Sequence, residues 1–425
     1  MATAADNVDL SHILGNSSVP SEIKQAVHEC FLLQKTELDI SSNTINEQLD
    51  FSMMTWVKAI NMNRCRINKL HKNYFPPGLR SLKMKSNQFK KLEDGHIPES
   101  VIYLNVANGE IEIMDIHLPN LIELECNSNN ILTMKVKEYF PKLKKLNAHS
   151  NKSVSFTDMP NTLVDVDISF NNLIDIPPFS EGVTLLDIAN NQLTELKNLP
   201  NSITKLKAYK NKITKIDKFP NAMSYVDLSK NQLETIPELG MGVTECDFDD
   251  NLLTELPKGA PLLEELKMAE NKLKNVVGLE AFGSLTTLNL SENQIESISG
   301  FPEGIKKIRL TSNNLKTLPP IPSSCTFIHI GRNSFESKPD IPDTCSSVYM
   351  RDNPFNIGEE SSPRRGHGMI RRMHGMSHEE MHMHMMHQRA LEMHMRQAAM
   401  MRNLSVNISR SSKNSVQLVD DEIEC

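Results

Sequence analysis

Apolar residues recur along most of this chain in one short phrase, Φ-x-Φ-x-x-Asn-x-Φ, where Φ is apolar. Residues 206–233 read LKAYKNKITKIDKFPNAMSYVDLSKNQL. There Leu206, Ala208 and Ile213 frame Asn211, and Val226, Leu228 and Leu233 frame Asn231. The same frame surrounds Asn43, Asn87, Asn129, Asn171, Asn191, Asn251, Asn271, Asn293, Asn313, Asn333 and Asn353. At Asn151 the last apolar position is Ser153, and in two further units Cys65 and Gly109 stand where the asparagine would be. About sixteen units, spaced by 20 or 22 residues, cover residues 36–358. Self-similarity at this period predicts a solenoid, in which each unit buries its apolar residues against its neighbours.

Within a unit, the alternation of Φ-x-Φ predicts a short strand with one buried face. The asparagine follows where the chain leaves that strand. A buried turn leaves peptide groups that need partners, and asparagine offers donors and an acceptor on a short side chain. A thiol satisfies such groups poorly and glycine not at all, so the 65–109 region is expected to be less regular. Proline stands eleven residues before the next such position at Pro76, Pro98, Pro160, Pro200, Pro220, Pro302, Pro322 and Pro342. So short a unit has no room for a full helix after strand and turns, and an extended or polyproline return is predicted.

This phrase resembles the leucine-rich repeat family over about three quarters of the chain. The short FP-x-x-Φ-x-x-Φ units are similar to those of leucine-rich effectors that bacteria inject into host cells, and also to intracellular eukaryotic leucine-rich-repeat proteins. The resemblance implies an α/β-type solenoid, a horseshoe whose parallel sheet lines the concave side. It further implies that Asn171, Asn191, Asn211, Asn231, Asn251, Asn271, Asn293, Asn313 and Asn333 form a hydrogen-bonded ladder between coils. An open stack needs caps. In SSVPSEIKQAVHECFLLQ, Pro20 and Ser21 are start signals, and Ile23, Ala26, Val27, Cys30 and Phe31 share one helical face, so residues 1–35 are expected to supply a capping helix. Downstream, RDNPFNIGEESSP resembles the start of a cysteine-rich end cap but holds no cysteine.

Parallel strands lie about 4.8 Å apart, so the concave face should extend on the order of 70 Å. Its middle column of outward residues runs from Asp39 to Tyr349 and includes Asp167, Asp187, Lys207, Asp227, Asp247, Lys267, Arg309 and His329. Around it lie a basic zone (Lys205, Lys207, Lys210), an acidic zone (Glu245, Asp247, Asp249, Asp250, Glu264, Glu265) and a second basic zone (Lys306, Lys307, Arg309, Arg332). Phe170, Tyr209, Tyr225 and Tyr349 are expected to be exposed among them. Blocks of alternating sign with tyrosine anchors suit a protein partner. Lys205, Lys207, Tyr209, Lys210, Tyr225, Asp227, Glu245, Asp247, Asp249, Lys267 and Arg309 are therefore the candidate binding residues, weighed against a merely solvated strand face.

Charge narrows the classes. A net charge of −7 argues against nonspecific nucleic-acid binding. No stretch of 18 apolar residues predicts a membrane span, and the first residues, MATAADNVDLSHILGNSS, do not read as a signal peptide. The 7 cysteines are odd in number, with no CxxC pair, so neither a disulfide framework nor a zinc site is expected. A reducing, cytoplasmic setting is the expectation. Asp247 and Asp249 point the same way, but an open sheet closes no dry site over them, and no catalysis or cofactor is expected.

Residues 359–425 depart in composition. Ser377 and Glu380 make a capping box for a helix over 378–402, with Met383, Met386, Ala390, Met393, Gln397, Met400 and Leu404 as a seam for a partner or for self-association. His378, His382, His384, His387 and His394 among methionines suit a soft cation such as Cu(I). A tail with no fixed site is the preferred reading. The whole predicts a nonenzymatic interaction scaffold, with an effector acting inside another cell and a metal-binding tail as alternatives.

Overall fold

The computed structural model describes residues 8–45, 48–153 and 155–356. The helix expected over 378–402, its seam and its histidines lie outside the described residues. Two helices open the described chain, α1 (Ser11–Leu14) and α2 (Ser21–Leu32). Ile13, Ile23, Val27 and Cys30 are buried, while Ala26 and Phe31 are partly buried against the same core. The predicted apolar face thus covers the first coil.

Sixteen strands of three residues each, from Glu37–Asp39 to Ser347–Tyr349, form one parallel sheet. Each pairs with the strand of the next coil, with central residues in register, as Leu206 is with Val226. The central residue is buried in every strand but the last, where Val348 is 39% exposed. On the convex side the return is extended. Short two-stranded pairs form there, such as Glu195–Leu196 with Lys215–Ile216 and Asn275–Val276 with Ser297–Ile298. The recurring proline starts a tight turn into the next strand: Ile203 N–H donates to the Pro200 carbonyl (3.3 Å) and Met223 N–H to that of Pro220 (3.2 Å).

The asparagines are the rungs that the repeat implied. Asn231 Nδ2 donates to the Ala208 carbonyl of the preceding coil (3.0 Å) and to its own Leu228 carbonyl (2.9 Å). Its Oδ1 accepts the Ile213 N–H at 3.0 Å. Asn171, Asn191, Asn251, Asn271, Asn313 and Asn333 are buried in the same arrangement, whereas Asn211 and Asn293 are half-buried. Each rung satisfies groups in two coils that water cannot reach.

The expected irregularity over 65–109 does not occur. Strands Ala59–Asn61, Ser81–Lys83 and Tyr103–Asn105 pair in unbroken register. Cys65 Sγ takes the donor half of the rung, giving its proton toward the Ile40 carbonyl at 3.2 Å. At Gly109 a Cβ would fall 2.8 Å from Asn129 Oδ1, so the neighbouring asparagine occupies the space of the absent side chain.

One backbone feature was not legible beforehand. The residue before every rung position is left-handed, with φ between 53° and 62° from Ser42 through Lys210 to Asp352. No glycine serves there; the residues include Phe170, Lys210, Lys230 and Glu270. This conformation costs an L-residue about 1–2 kcal/mol. It is held because its amide binds the next coil, as Lys210 N–H does to the Ser229 carbonyl (2.8 Å).

Candidate interaction face

Three columns of side chains leave the sheet on its concave side: the first and third residues of each strand, and the residue two beyond. In the middle column, Asp167, Asp187, Lys207, Asp227, Asp247 and Lys267 are successive neighbours in register. The aspartates have a local task that explains their place. Asp227 Oδ1 accepts the N–H (3.1 Å) and hydroxyl (2.7 Å) of Ser229. Asp167 does the same for Ser169, and Asp187 accepts the Ala189 N–H. A lysine cannot accept. Beside Lys267, the Ala269 N–H is instead taken by Asp249 Oδ1 of the preceding coil at 2.6 Å.

The charges on this column are packed closely enough to interact. Lys207 pairs with Asp187 at 3.3 Å, and Lys267 with Asp247 at 3.7 Å and Glu265 at 2.8 Å. Asp227 has no ion pair among the described residues, and its registered neighbour Asp247 carries the same charge. Burial first, and Asp247 second, push the Asp227 carboxyl up to about 6. Burial and Asp167 also raise Asp187. Burial raises Asp247 against the pull of Lys267. Burial opposes the charge of Lys267, but the Glu265 hydrogen bond and Asp247 outweigh it and raise its pKa. Tyr209 is pushed up to about 12 by burial and then by Asp187 and Asp227, which places its ring among these carboxylates. Lys205 Nζ lies 4.7 Å from the Tyr225 ring centroid.

Of the candidate residues, Lys205, Lys207, Tyr225, Asp227, Glu245, Asp247, Lys267 and Arg309 stand on the strands. Tyr209 and Asp249 lie two residues beyond. Lys210 is exposed, one residue beyond Tyr209. It occupies the left-handed corner, because the chain has already turned there. Tyr209 and Tyr225, expected to be exposed, are half-buried, as are Lys205 and Lys207, the latter paired with Asp187. Asp247 Oδ1 accepts the Asp249 N–H (3.1 Å), and Asp249 Oδ1 the Ala269 N–H. Phe170 is 47% exposed, but at a corner. Sequence reasoning passed over Leu185, an outward strand residue 40% exposed between Asp165 and Lys205. Its signal was an apolar residue at a position otherwise polar in its neighbours.

Comparison with known proteins agrees with this geometry. The family model described as Leucine Rich Repeat matches residues 284–306. The fold is that of leucine-rich-repeat proteins. A 44-residue stretch is 50% identical to Leucine-rich repeat-containing protein 23 of Bos taurus, covering 10% of this chain and 13% of that relative's length. Among solved structures, YopM of Yersinia enterocolitica superposes with a TM-score of 0.61 at 24% identity, covering 78% of this chain and 81% of that one. The leucine-rich effector protein YopM of Yersinia pestis gives 0.62 at 21% identity, covering 80% and 92%. At these identities the likeness is one of fold. Among the described residues, no group of His, Cys, Asp and Glu side chains is arranged to hold a metal ion. No described helix is long and apolar enough to cross a membrane.

Proposed function

We propose that this leucine-rich-repeat chain is a nonenzymatic interaction scaffold that binds a protein partner on its concave face, in a reducing, cytoplasmic setting. One observation carries the reading: Asp227 and Asp247 stand side by side in register, half-buried, and among the described residues Asp227 makes no ion pair. Their hydrogen bonds to Ser229 and Asp249 account for a carboxyl at each position, but not for the like charge that each sets beside the other. A partner's lysine or arginine set over it relieves the repulsion, and complementary charge of this kind fixes register and encounter rate. Tyr209, Tyr225 and Leu185 supply apolar area beside the charges. Six buried free cysteines are compatible with the reducing setting. The alternative, an effector acting inside another cell, rests on the fold likeness to the Yersinia chains alone.

The test is affinity capture with three forms of the whole chain: wild type, Tyr225→Ala with Asp227→Asn, and Lys212→Ala with Lys218→Ala on the convex side. A partner held by the first and third and lost by the second supports the reading. Retention by all three, or loss only in the third, overturns it.

A further inference from the structure

The last coils present a different chemistry on the same face. Strands Lys307–Arg309, Phe327–His329 and Ser347–Tyr349 are consecutive and in register. The Arg309 guanidinium lies over the Phe327 ring, 4.9 Å from its centroid. Phe327 and His329 centroids are 4.1 Å apart, and His329 and Tyr349 centroids 5.4 Å apart. A chain of rings therefore crosses two coils. Gly331 makes it possible, because a Cβ there would stand 2.5 Å from Tyr349 Cε1 and 3.0 Å from the Arg351 carbonyl. Burial and the Arg309 charge hold His329 below its ordinary range, so its ring is neutral near pH 7.

The charge pattern is equally distinct. From Thr287 to Arg351 the three outward columns hold Lys307, Arg309 and Arg351 and not one carboxylate. Among the described residues none of these three cations has an ion-pair partner, whereas Lys207 and Lys267 in the middle coils are each paired with an aspartate. Lys307 and Arg351 are exposed beside the half-exposed rings, and Arg309 sets its charge over the Phe327 ring. The three strands span two steps of about 4.8 Å, a little over 10 Å with the flanking side chains, which matches about three residues of an extended peptide.

We propose that this surface is the docking platform for a short acidic segment of the partner protein, with carboxylates on Lys307, Arg309 and Arg351 and an aromatic or apolar side chain on the rings of Phe327, His329 and Tyr349. The assignment rests on the concave face being the binding face. A single-stranded nucleic acid also combines phosphate with stacking bases. It is disfavoured because the face continues into Glu265, Asp247 and Glu245, which repel a strand charged along its whole length. A peptide confines its acidity to a few residues.

The test uses the purified full chain and a fluorescein-labelled decapeptide of alternating glutamate and tyrosine, read by anisotropy. Wild type binds it, added salt weakens binding, and a lysine–tyrosine decapeptide does not bind. Lys307→Gln with Arg309→Gln weakens binding about tenfold, as does Tyr349→Ala, while Lys212→Ala leaves it unchanged. Gly331→Ala, which crowds the Tyr349 ring, weakens binding with an unchanged far-ultraviolet spectrum. Equal affinity for wild type and the Lys307/Arg309 variant overturns the proposal, as does tighter binding of a ten-nucleotide oligothymidylate than of the acidic peptide. If a captured partner is lost in the Tyr225/Asp227 variant but held by the Lys307/Arg309 variant, the platform falls while the binding role of the concave face stands.

Discussion

Asn211 Nδ2 donates to the Ile188 carbonyl of the preceding coil at 3.1 Å, while its Oδ1 accepts the Leu193 N–H at 3.1 Å. The side chain also reaches the Ala208 carbonyl of its own coil at 3.0 Å. One amide thus holds two coils together through groups that face away from water. Asn211→Ala should cost about 1–3 kcal/mol by leaving them unpaired. Lys212→Ala, exposed and one residue on, should change stability by less than about 0.5 kcal/mol. Thermal midpoints of the two variants check this, and equal midpoints would contradict the rung assignment.

Asp227 gives the face a pH signature. Its folded pKa is raised from 3.8 to about 6, chiefly by burial and then by Asp247. The folded chain therefore binds this proton more tightly than the unfolded one. The associated stability is fully present below pH 3.8 and is lost as pH rises through about 6. Asp227→Asn keeps the Oδ1 acceptor for Ser229 and removes the charge. It should be more stable than wild type by about 1–3 kcal/mol at pH 7, a gain that shrinks toward zero near pH 4. Urea unfolding at the two pH values decides; a gain of equal size at both would remove titration as its cause.

Phe170 sits in the left-handed corner before Asn171, with φ of 53° and a ring 47% exposed. Asparagine visits that region more readily than a bulky side chain does. Phe170→Asn should stabilise the chain by about 0.5–1 kcal/mol, read from the denaturation midpoint. A loss of stability would mean that the ring contributes packing at the corner.

The buried thiols should resist chemistry. Burial pushes Cys126 up to about 12, and burial with the neighbouring Cys345 pushes Cys325 up to about 12. A thiol needs its thiolate to react. In a Cys425→Ala background, a thiol reagent at pH 7.5 should label none of the six described cysteines until denaturant is added. Fast native labelling of Cys126 would reveal local opening of its coil.

While the parallel sheet and the rungs were what the chain's resemblance to leucine-rich repeats implied, the sequence by itself determined the solenoid, the short strand of each unit and the capping helix. Those rest on local period and burial, and period survives in a single strand of text. Leu206, Ala208, Asn211 and Ile213 read the same whether or not their neighbours are known. The column bearing Asp227 and Asp247 was legible for the same reason, since a residue every 20 positions must line up. What it could not show is how residues of different coils divide their work. That Lys210 stands at a left-handed corner is a matter of backbone torsion, which Ser, Lys, Asp and Phe all adopt there without a common signature. Asp249 looked free, but its oxygen serves the amide beside Lys267, because that lysine offers no acceptor. The ring chain from Phe327 to Tyr349 depends on a close approach over Gly331. Only the stacking of coils brings such distant residues within reach, so only the tertiary structure decided which charges are spent on the fold.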